Sequence, residues 1–103
     1  MEKRWSLRKD IQLDVVVHHD DAGVIKCKTR DISLEGMFIE TTSPLLPVDD
    51  PVYLDFILQN DNSNKLHHIR AKIVRTTDTG MGVMFREFNP RISHFLRDVQ
   101  YND

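Results

Sequence analysis

Six short segments in which apolar and polar residues alternate, each bounded by turn-forming residues, dominate this sequence of 103 residues. In the first of them, apolar residues occupy every second position from Ile11 to Val17, and the DDAG that follows is typical of a turn. Such alternation indicates a strand with one face in a core and the other toward solvent. The pattern predicts strands at residues 10–18, 24–31, 37–40, 51–58, 67–76 and 81–88.

The last element has a different period. Apolar residues at positions 92, 95, 96 and 99 follow helical spacing over residues 90–100, with Asn89 as the N-cap and Pro90 at the first helical position. Six closely spaced strands must hide their edges, and closure into a small barrel does so at this length. The sequence therefore predicts a mainly β fold: a six-stranded antiparallel barrel with one C-terminal helix packed against it.

Composition limits the domain count and the compartment. A hydrophobic content of 40% over 103 residues indicates one domain, which we divide into a flexible basic tail, residues 1–9, and the barrel with its helix, residues 10–103, with no further domain. Cys27 is the one cysteine and is expected to be a small buried apolar side chain, which favours a reducing compartment. No apolar run reaches the roughly 18 residues of a membrane span, and no signal-type stretch follows the N-terminal charges. We expect a cytoplasmic protein with no membrane span.

The charge is distributed unevenly along the chain. The tail carries four cationic side chains against Glu2, which gives it a charge of +3, and because the whole chain has a charge of −2 the remainder sums to −5. An acidic barrel lacks the broad basic face that long nucleic acid requires. A small anion held by the tail suits this distribution better.

Catalysis and metal binding find little support in the sequence. His18 with His19, and His67 with His68, are adjacent on predicted strands, so each pair points to opposite faces and cannot chelate one metal ion. We expect these histidines at the surface. No nucleophile has a recognisable base partner and no phosphate-binding glycine loop is present, so we predict no enzyme, no catalytic residue and no cofactor.

Two spaced motifs carry a resemblance to a known family. An RxxxR at Arg4 and Arg8 lies in the basic tail, and a DxSxxG at Asp31, Ser33 and Gly36 follows the first hairpin. With GMGVMF in the sixth predicted strand, this pair resembles the signature of PilZ domains, receptors for the bacterial second messenger cyclic di-GMP. The resemblance covers nearly the whole chain. It implies a six-stranded barrel, a nucleotide gripped jointly by the tail arginines and the loop, and no catalysis.

The chemistry of these residues fits the same ligand. Guanidinium forks match phosphate oxygens and the O6/N7 edge of guanine, which suits Arg4 and Arg8. The carboxylate of Asp31 can accept from the N1 and N2 donors of guanine and so disfavour adenine. Ser33 can donate to a phosphate or a base. Gly36 can take a positive φ in the turn and lets the backbone approach the ligand without a Cβ.

Secondary contacts and stoichiometry are further expectations. Trp5 can stack on a base or anchor the tail. Arg75 ends the fifth predicted strand, where PilZ domains often carry a basic or aromatic residue beside the ligand. Two cyclic di-GMP molecules can stack as an intercalated dimer with four phosphates, and Lys3 and Lys9 supply surplus positive charge for it. We therefore expect two nucleotides per chain.

The output of such a receptor is expected to pass to an unidentified partner protein, through the tail and the barrel face beside it. Two alternatives remain open. A PilZ-like adaptor can retain the signature while its nucleotide binding is weak or lost, acting through protein contacts alone. A small barrel can also bind single-stranded RNA, but this requires several exposed aromatic side chains on one face and a positive groove.

Overall fold

A computed structural model describes residues 10–41, 46–60 and 63–102, and within these ranges it contains six strands and one helix. The strands close into an antiparallel barrel in the order β1-β2-β3-β6-β5-β4, which confirms the predicted fold. The elements are β1 Asp14–His19, β2 Gly23–Ile32, β3 Gly36–Glu40, β4 Pro51–Asn60, β5 Ser63–Thr77, β6 Gly80–Phe85 and α1 Pro90–Asn102. None of the described helical structure has both the length and the apolar character of a membrane crossing.

The barrel encloses one core built from the inward side chains of all six strands. Val17, Leu54 and Ile73 are fully shielded from solvent, and the helix adds Ile92 and Leu96 to the same cluster. Each buried aliphatic side chain of this kind contributes about 1.5–3 kcal/mol by leaving water. The alternation in the sequence therefore reports the inward face correctly.

The helix begins as predicted. The Asn89 Oδ1 accepts hydrogen bonds from the backbone N–H groups of Arg91 at 2.9 Å and Ile92 at 3.3 Å, and Pro90 occupies the first helical position. The cap satisfies donors that the first turn leaves without an intrahelical partner. The side chain of Val99, predicted to pack on the barrel, lies outside the described residues.

The first strand starts four residues later than the sequence predicts, because Thr29 binds the chain before it. The Thr29 N–H donates to the Leu13 carbonyl at 2.8 Å, and the Thr29 hydroxyl donates to the Ile11 carbonyl at 2.6 Å and accepts from the Leu13 N–H at 2.9 Å. Thr29 is fully buried. One side chain thus fixes where residues 11–13 enter the barrel, directly beside β2.

Cys27 is half-buried against the core, in keeping with the expected apolar role. Burial raises the pKa of its thiol, and the hydrogen bond with Thr41 opposes this effect only in part. A thiol with a raised pKa is a poor nucleophile.

The prediction that all four paired histidines lie at the surface is wrong for two of them. His19 and His67 are buried: His19 Nε2 donates to Asp50 at 2.8 Å, and the His67 ring stacks on Phe56 at 5.7 Å between centroids. The physical reason is the alternation itself, since neighbouring residues on a strand face opposite sides and one of each pair must point inward.

The outward histidines, His18 and His68, converge on one carboxylate in the middle of β4. His18 Nε2 donates to Asp55 Oδ2 at 2.7 Å, and His68 Nδ1 donates to Asp55 Oδ1. Burial raises the pKa of Asp55, but the hydrogen bonds and positive charge of His68 and His18 outweigh it, so the pKa lies below its ordinary value. This cluster joins β1, β4 and β5 across the outside of the barrel.

We expect Asp55→Asn to destabilise the domain near neutral pH and to matter less in acid. Because folding lowers the pKa of Asp55 from 3.8, the ionised carboxylate adds stability above that pH, and this stability is lost as the pH falls through the lowered pKa. Urea unfolding from about pH 6 to about pH 3 should show the gap between parent and variant narrowing toward acid. Asp14→Asn is the control, because the Asp14 side chain is 85% exposed in its ion pair with Lys28. A gap that stays constant with pH would contradict this account.

Candidate functional site

A bulge in β2 brings two adjacent side chains to the outside of the barrel. The register with β3 shifts between Thr29, which pairs with Ile39, and Asp31, which pairs with Phe38. Because the bulge adds one residue, Thr29 and Ile32 both face the core, and Arg30 and Asp31 both face outward between them. Simple alternation would have turned Asp31 inward.

A second bulge lies in β5, on the other side of the β3–β6 pair. The register with β6 shifts between Ile73, which pairs with Val83, and Arg75, which pairs with Gly82. Ile73 is fully buried, whereas Val74 and Arg75 are both exposed. Bulges re-aim side chains, and here the two bulges flank the same pair of strands.

These registers align four residues in one row across four strands. Asp31 pairs with Phe38, Phe38 with Gly82, and Gly82 with Arg75. We call the outward side of this row, together with Arg30, the Phe38 surface. The sequence predicted Asp31 and Arg75 as ligand contacts, and the row places them on one face of the barrel with an aromatic ring and a glycine between them.

Phe38 faces outward but is only 2% exposed, because arginine side chains cover its ring. The Cζ atom of Arg30 lies 4.0 Å from the ring centroid and that of Arg75 lies 5.5 Å from it, both within the range of a cation–π contact. Two guanidinium groups are therefore held over one point of a barrel that is otherwise acidic. Such a surface attracts anions.

Two glycines of the GMGVMF segment make room for these side chains. A Cβ on Gly82 would lie 3.1 Å from both Cγ and Nε of Arg75, and one on Gly80 would lie 2.8 Å from a ring carbon of Phe38 and 2.1 Å from the Ile39 carbonyl oxygen. The missing side chains leave room for Phe38 and Arg75 against β6. This gives the segment a physical role at the site.

The loop between β2 and β3 is closed by Ser33. Its N–H donates to the Gly36 carbonyl at 2.8 Å, and its hydroxyl donates to the same oxygen at 3.3 Å and accepts from the N–H groups of Glu35 at 3.2 Å and Gly36 at 3.3 Å. Ser33 is buried. Its hydroxyl is thus committed to the shape of the loop, the structural use of a turn serine.

Gly36 is required for a reason other than the predicted one. The expectation that it takes a positive φ is wrong, since Gly23 is the glycine in that conformation among the described residues. A Cβ at Gly36 would instead lie 1.9 Å from the Val83 carbonyl oxygen. The glycine therefore lets β3 approach the backbone of β6 at the point where the loop joins the sheet.

A small cavity of about 130 Å³ connects the loop with the Phe38 surface, with Ser33, Gly36, Phe38, Arg75 and Gly82 among its lining residues. Three of the predicted contacts thus line one cavity, and Asp31 lies in the row beside it. The remaining predicted contacts lie outside the described residues: Lys3, Arg4, Trp5, Arg8 and Lys9.

Sequence reasoning missed Arg30 and Phe38. Their outward directions follow from simple alternation, because residues 25, 27 and 29 set the inward face of β2 and residues 37 and 39 set that of β3. Alternation within one strand does not give the register between strands, which brings Arg30 and Arg75 over the same Phe38 ring. Among the described residues, no group of three or more His, Cys, Asp or Glu side chains is arranged to hold a metal ion.

Comparison with solved structures shows the same fold in three proteins of low sequence identity. The inhibitor of motility MotI/DgrA of Bacillus subtilis superposes with a TM-score of 0.85 at 17% identity over 100% of this chain and 54% of its own, so this chain spans about half the length of that protein. The PilZ domain of CeSA from a cellulose-synthesizing bacterium gives 0.66 at 18% identity, over 93% of this chain and 96% of its own. The PilZ domain of YcgR from Escherichia coli, solved with c-di-GMP, gives 0.71 at 15% identity, over 98% and 91%.

Sequence comparison identifies a family for this chain. No curated protein matches the chain. The family model described as PilZ domain matches residues 2–99, which includes both motifs and the whole of the barrel. On this match the chain belongs to the PilZ domain family.

Proposed function

We propose that this chain is a bacterial cyclic di-GMP receptor that binds the dinucleotide between the Phe38 surface and the N-terminal tail. The observation that carries the proposal is the row Asp31, Phe38, Gly82 and Arg75, which lies beside the Ser33 loop. Membership of the PilZ family supports it, as does the fold shared with the PilZ domain of YcgR, which was solved with c-di-GMP.

Each described residue of the site has a role toward this ligand. The Asp31 carboxylate accepts from the N1 and N2 donors of a guanine, which adenine cannot offer in the same arrangement. Arg30 and Arg75 supply guanidinium forks for phosphate oxygens or for the O6/N7 edge of guanine. The Ser33 hydroxyl is engaged within the loop, so we assign Ser33 and Gly36 chiefly to holding the loop against the ligand.

We propose that the tail completes the site. The Thr29 hydroxyl donates to the Ile11 carbonyl, and Thr29 lies two residues before Asp31 in β2, so the chain enters the barrel next to the Phe38 surface. At about 3.3–3.6 Å per residue, Arg8 lies at most about 11 Å and Arg4 at most about 25 Å along the chain from Ile11. Both arginines can therefore reach a nucleotide on this surface, and Trp5 can stack on an outer base.

The amount of positive charge bears on the stoichiometry. An intercalated pair of nucleotides brings four phosphate charges together, and Lys3 and Lys9 add cations to the arginines of the site. We propose two nucleotides per chain. Calorimetry at saturation gives the ratio directly, and a ratio of one in the parent would limit the site to a single molecule.

The signal is proposed to reach a partner protein, because nucleotide binding changes the surface that the tail and the barrel present. The adaptor that has lost its ligand and the single-stranded RNA binder are the competing functions. Calorimetric titration with cyclic di-GMP, GTP and an oligonucleotide separates all three. The proposal requires heat with cyclic di-GMP alone, and a silent titration with that ligand would overturn it.

Asp31→Ala should weaken binding and lose selectivity for guanine. Hydrogen bonds to a charged group are worth about 1.5–3 kcal/mol, so affinity for cyclic di-GMP should fall at least about tenfold while that for cyclic di-AMP changes little. Asp78→Ala is the control, since Asp78 is an exposed carboxylate in the β5–β6 turn. Equal loss for both dinucleotides would show that Asp31 supports the fold of the site rather than reading the base.

Gly82→Ala and Gly80→Ala should separate binding from folding. The three atoms nearest to an alanine Cβ at position 82 all belong to the flexible Arg75 side chain, so the domain should melt within a few degrees of the parent while Arg75 is displaced and affinity falls several-fold. At position 80 the Cβ meets a backbone carbonyl, so thermal stability itself should drop. Thermal melts with calorimetry test both, and unchanged binding by Gly82→Ala would remove Arg75 from the site.

A further inference from the structure

The exposed large apolar side chains of the described residues fall mainly into two groups. Val74 and Met84 line the cavity of the Phe38 surface. A second group lies on the outside of the β2–β1–β4–β5 wall and on the segment after β6. Its members are Val24, Tyr53, Ile57, Leu66 and Phe88, with Leu66 66% and Phe88 67% exposed. The proposed nucleotide site makes no use of this second group.

Part of β5 has an open edge beside these residues. β4 pairs with β5 from Lys72 back to Ser63, whereas β6 pairs only with residues 71–77. The Arg70 carbonyl accepts from the Arg86 N–H at 2.9 Å, so even-numbered residues here direct their backbone groups to the β6 side. The backbone N–H and C=O groups of Leu66 and His68 thus point to the β6 side of β5, but β6 does not extend this far along β5. No backbone group of the described ranges forms a hydrogen bond with them on that side.

A cavity of about 280 Å³ lies along this edge, lined by His68, Ile69, Arg70, Glu87, Phe88 and Asn89. The segment that carries Phe88 is tethered at both ends, by the bond from Arg86 to Arg70 and by the cap of the helix at Asn89. The His68 side chain is held in place as well, because its ring stacks on Tyr53 with 4.8 Å between the ring centroids and forms a hydrogen bond with Asp55. The cavity is therefore preformed.

The charges at this edge favour an acidic occupant. Arg70 and Glu87 are exposed and both line the cavity, but Arg70 forms no ion pair with Glu87 or with any other described side chain, whereas the nearby Asp55 is engaged by two histidines. Aromatic residues and arginine are enriched among the residues that contribute most of the binding energy in protein interfaces. An unpaired strand edge adds main-chain hydrogen bonds for an extended peptide.

We propose that the open edge of β5 at Leu66 and His68, with the Phe88 cavity beside it, binds an extended acidic segment of a partner protein. The segment adds a strand to β5, places one apolar side chain against Phe88 and directs a carboxylate to Arg70. The inference rests on the proposed function only in that the receptor acts through a partner. It moves the partner surface from the tail, where the sequence suggested it, to another side of the barrel.

Other occupants fit the edge less well. A lipid surface cannot satisfy a row of backbone N–H and C=O groups, and an oligonucleotide, which carries a charge on every phosphate, would find only the guanidinium of Arg70 among the residues that line the cavity. A second copy paired about residues 66–68 would bring Asn62, Asn64 or Leu66 opposite Arg70, none of which is a carboxylate. Each of these occupants is an outcome of the test below.

The probe is a phage-displayed library of random linear peptides, panned on the full chain. Selected peptides should combine an acidic residue with an aromatic or aliphatic one, and binding should slow amide exchange at Leu66 and His68. Affinity should fall about tenfold or more in Phe88→Ser, Arg70→Glu and Leu66→Pro. Proline at position 66 removes an N–H that the β4 ladder does not use, so this variant should fold.

Matched controls keep the test specific. Val48→Ser removes another exposed apolar side chain and Arg97→Glu reverses another exposed arginine, and both should bind the peptides like the parent. Peptides without acidic enrichment, or binding that all variants retain, would overturn the proposal. So would self-association in sedimentation, binding to anionic phospholipid vesicles or binding to an oligonucleotide, if Phe88→Ser abolished it.

Calorimetry with cyclic di-GMP separates this proposal from the proposed function. The three edge variants should bind the nucleotide as the parent does, because Leu66 and Arg70 lie on the part of β5 that precedes its pairing with β6, and Phe88 lies beyond β6. If the parent bound no nucleotide, the proposed function would fail while the peptide result would still decide the edge. Loss of nucleotide binding in all three edge variants would show that they damage the barrel, and would overturn the claim of a separate surface.

Discussion

Two bulges in the barrel decide which side chains this domain presents to a ligand. In β2 the extra residue turns Ile32 into the core and Asp31 outward. Without it the strand would expose a large aliphatic side chain, at a cost of about 1.5–3 kcal/mol, and bury an ionised carboxylate, which costs several kcal/mol more. The bulge in β5 likewise turns Arg75 outward, where continued alternation from Ala71 and Ile73 would turn it inward. In both strands the bulge therefore keeps aliphatic side chains in the core and turns a charged side chain of the site toward solvent.

Close backbone packing between the bulges gives the surface its shape. Gly36 and Gly80 let the backbones of β3 and β6 approach closely, and Gly82 leaves room for the side chain of Arg75. Thr29, next to the β2 bulge, forms hydrogen bonds with Ile11 and Leu13 and so sets where residues 11–13 enter the barrel. Strand β5 continues from this surface to the open edge at Leu66, so one strand belongs to both proposed binding surfaces.

Much of the fold was predictable from residue periodicity, because each strand has one buried face and the helix is capped by a side chain that the sequence displays. The boundaries were less predictable. Hydrogen bonds to the Thr29 side chain replace the strand ladder before Asp14, and β5 runs back through a polar stretch that resembles a turn. The two buried histidines were misplaced because polar residues were expected outside, although their hydrogen-bonding and stacking partners make burial acceptable.

The candidate site was predictable where a motif fixed it. Asp31, Ser33, Gly36 and Arg75 lie together, but Gly36 acts by close approach to Val83 and the Ser33 hydroxyl is used within the loop. Arg30 and Phe38 were missed because their proximity to Arg75 depends on the register between strands, which alternation within each strand does not give.

The proposed binding of cyclic di-GMP to the row from Asp31 to Arg75 can be tested by backbone amide chemical shifts of the isotopically labelled chain, followed during titration with the nucleotide. We expect the largest changes in the barrel at Asp31, Phe38, Gly82 and Arg75. Largest changes at Tyr53 and Asp55 on the β4 face, or no change at saturating nucleotide, would contradict it.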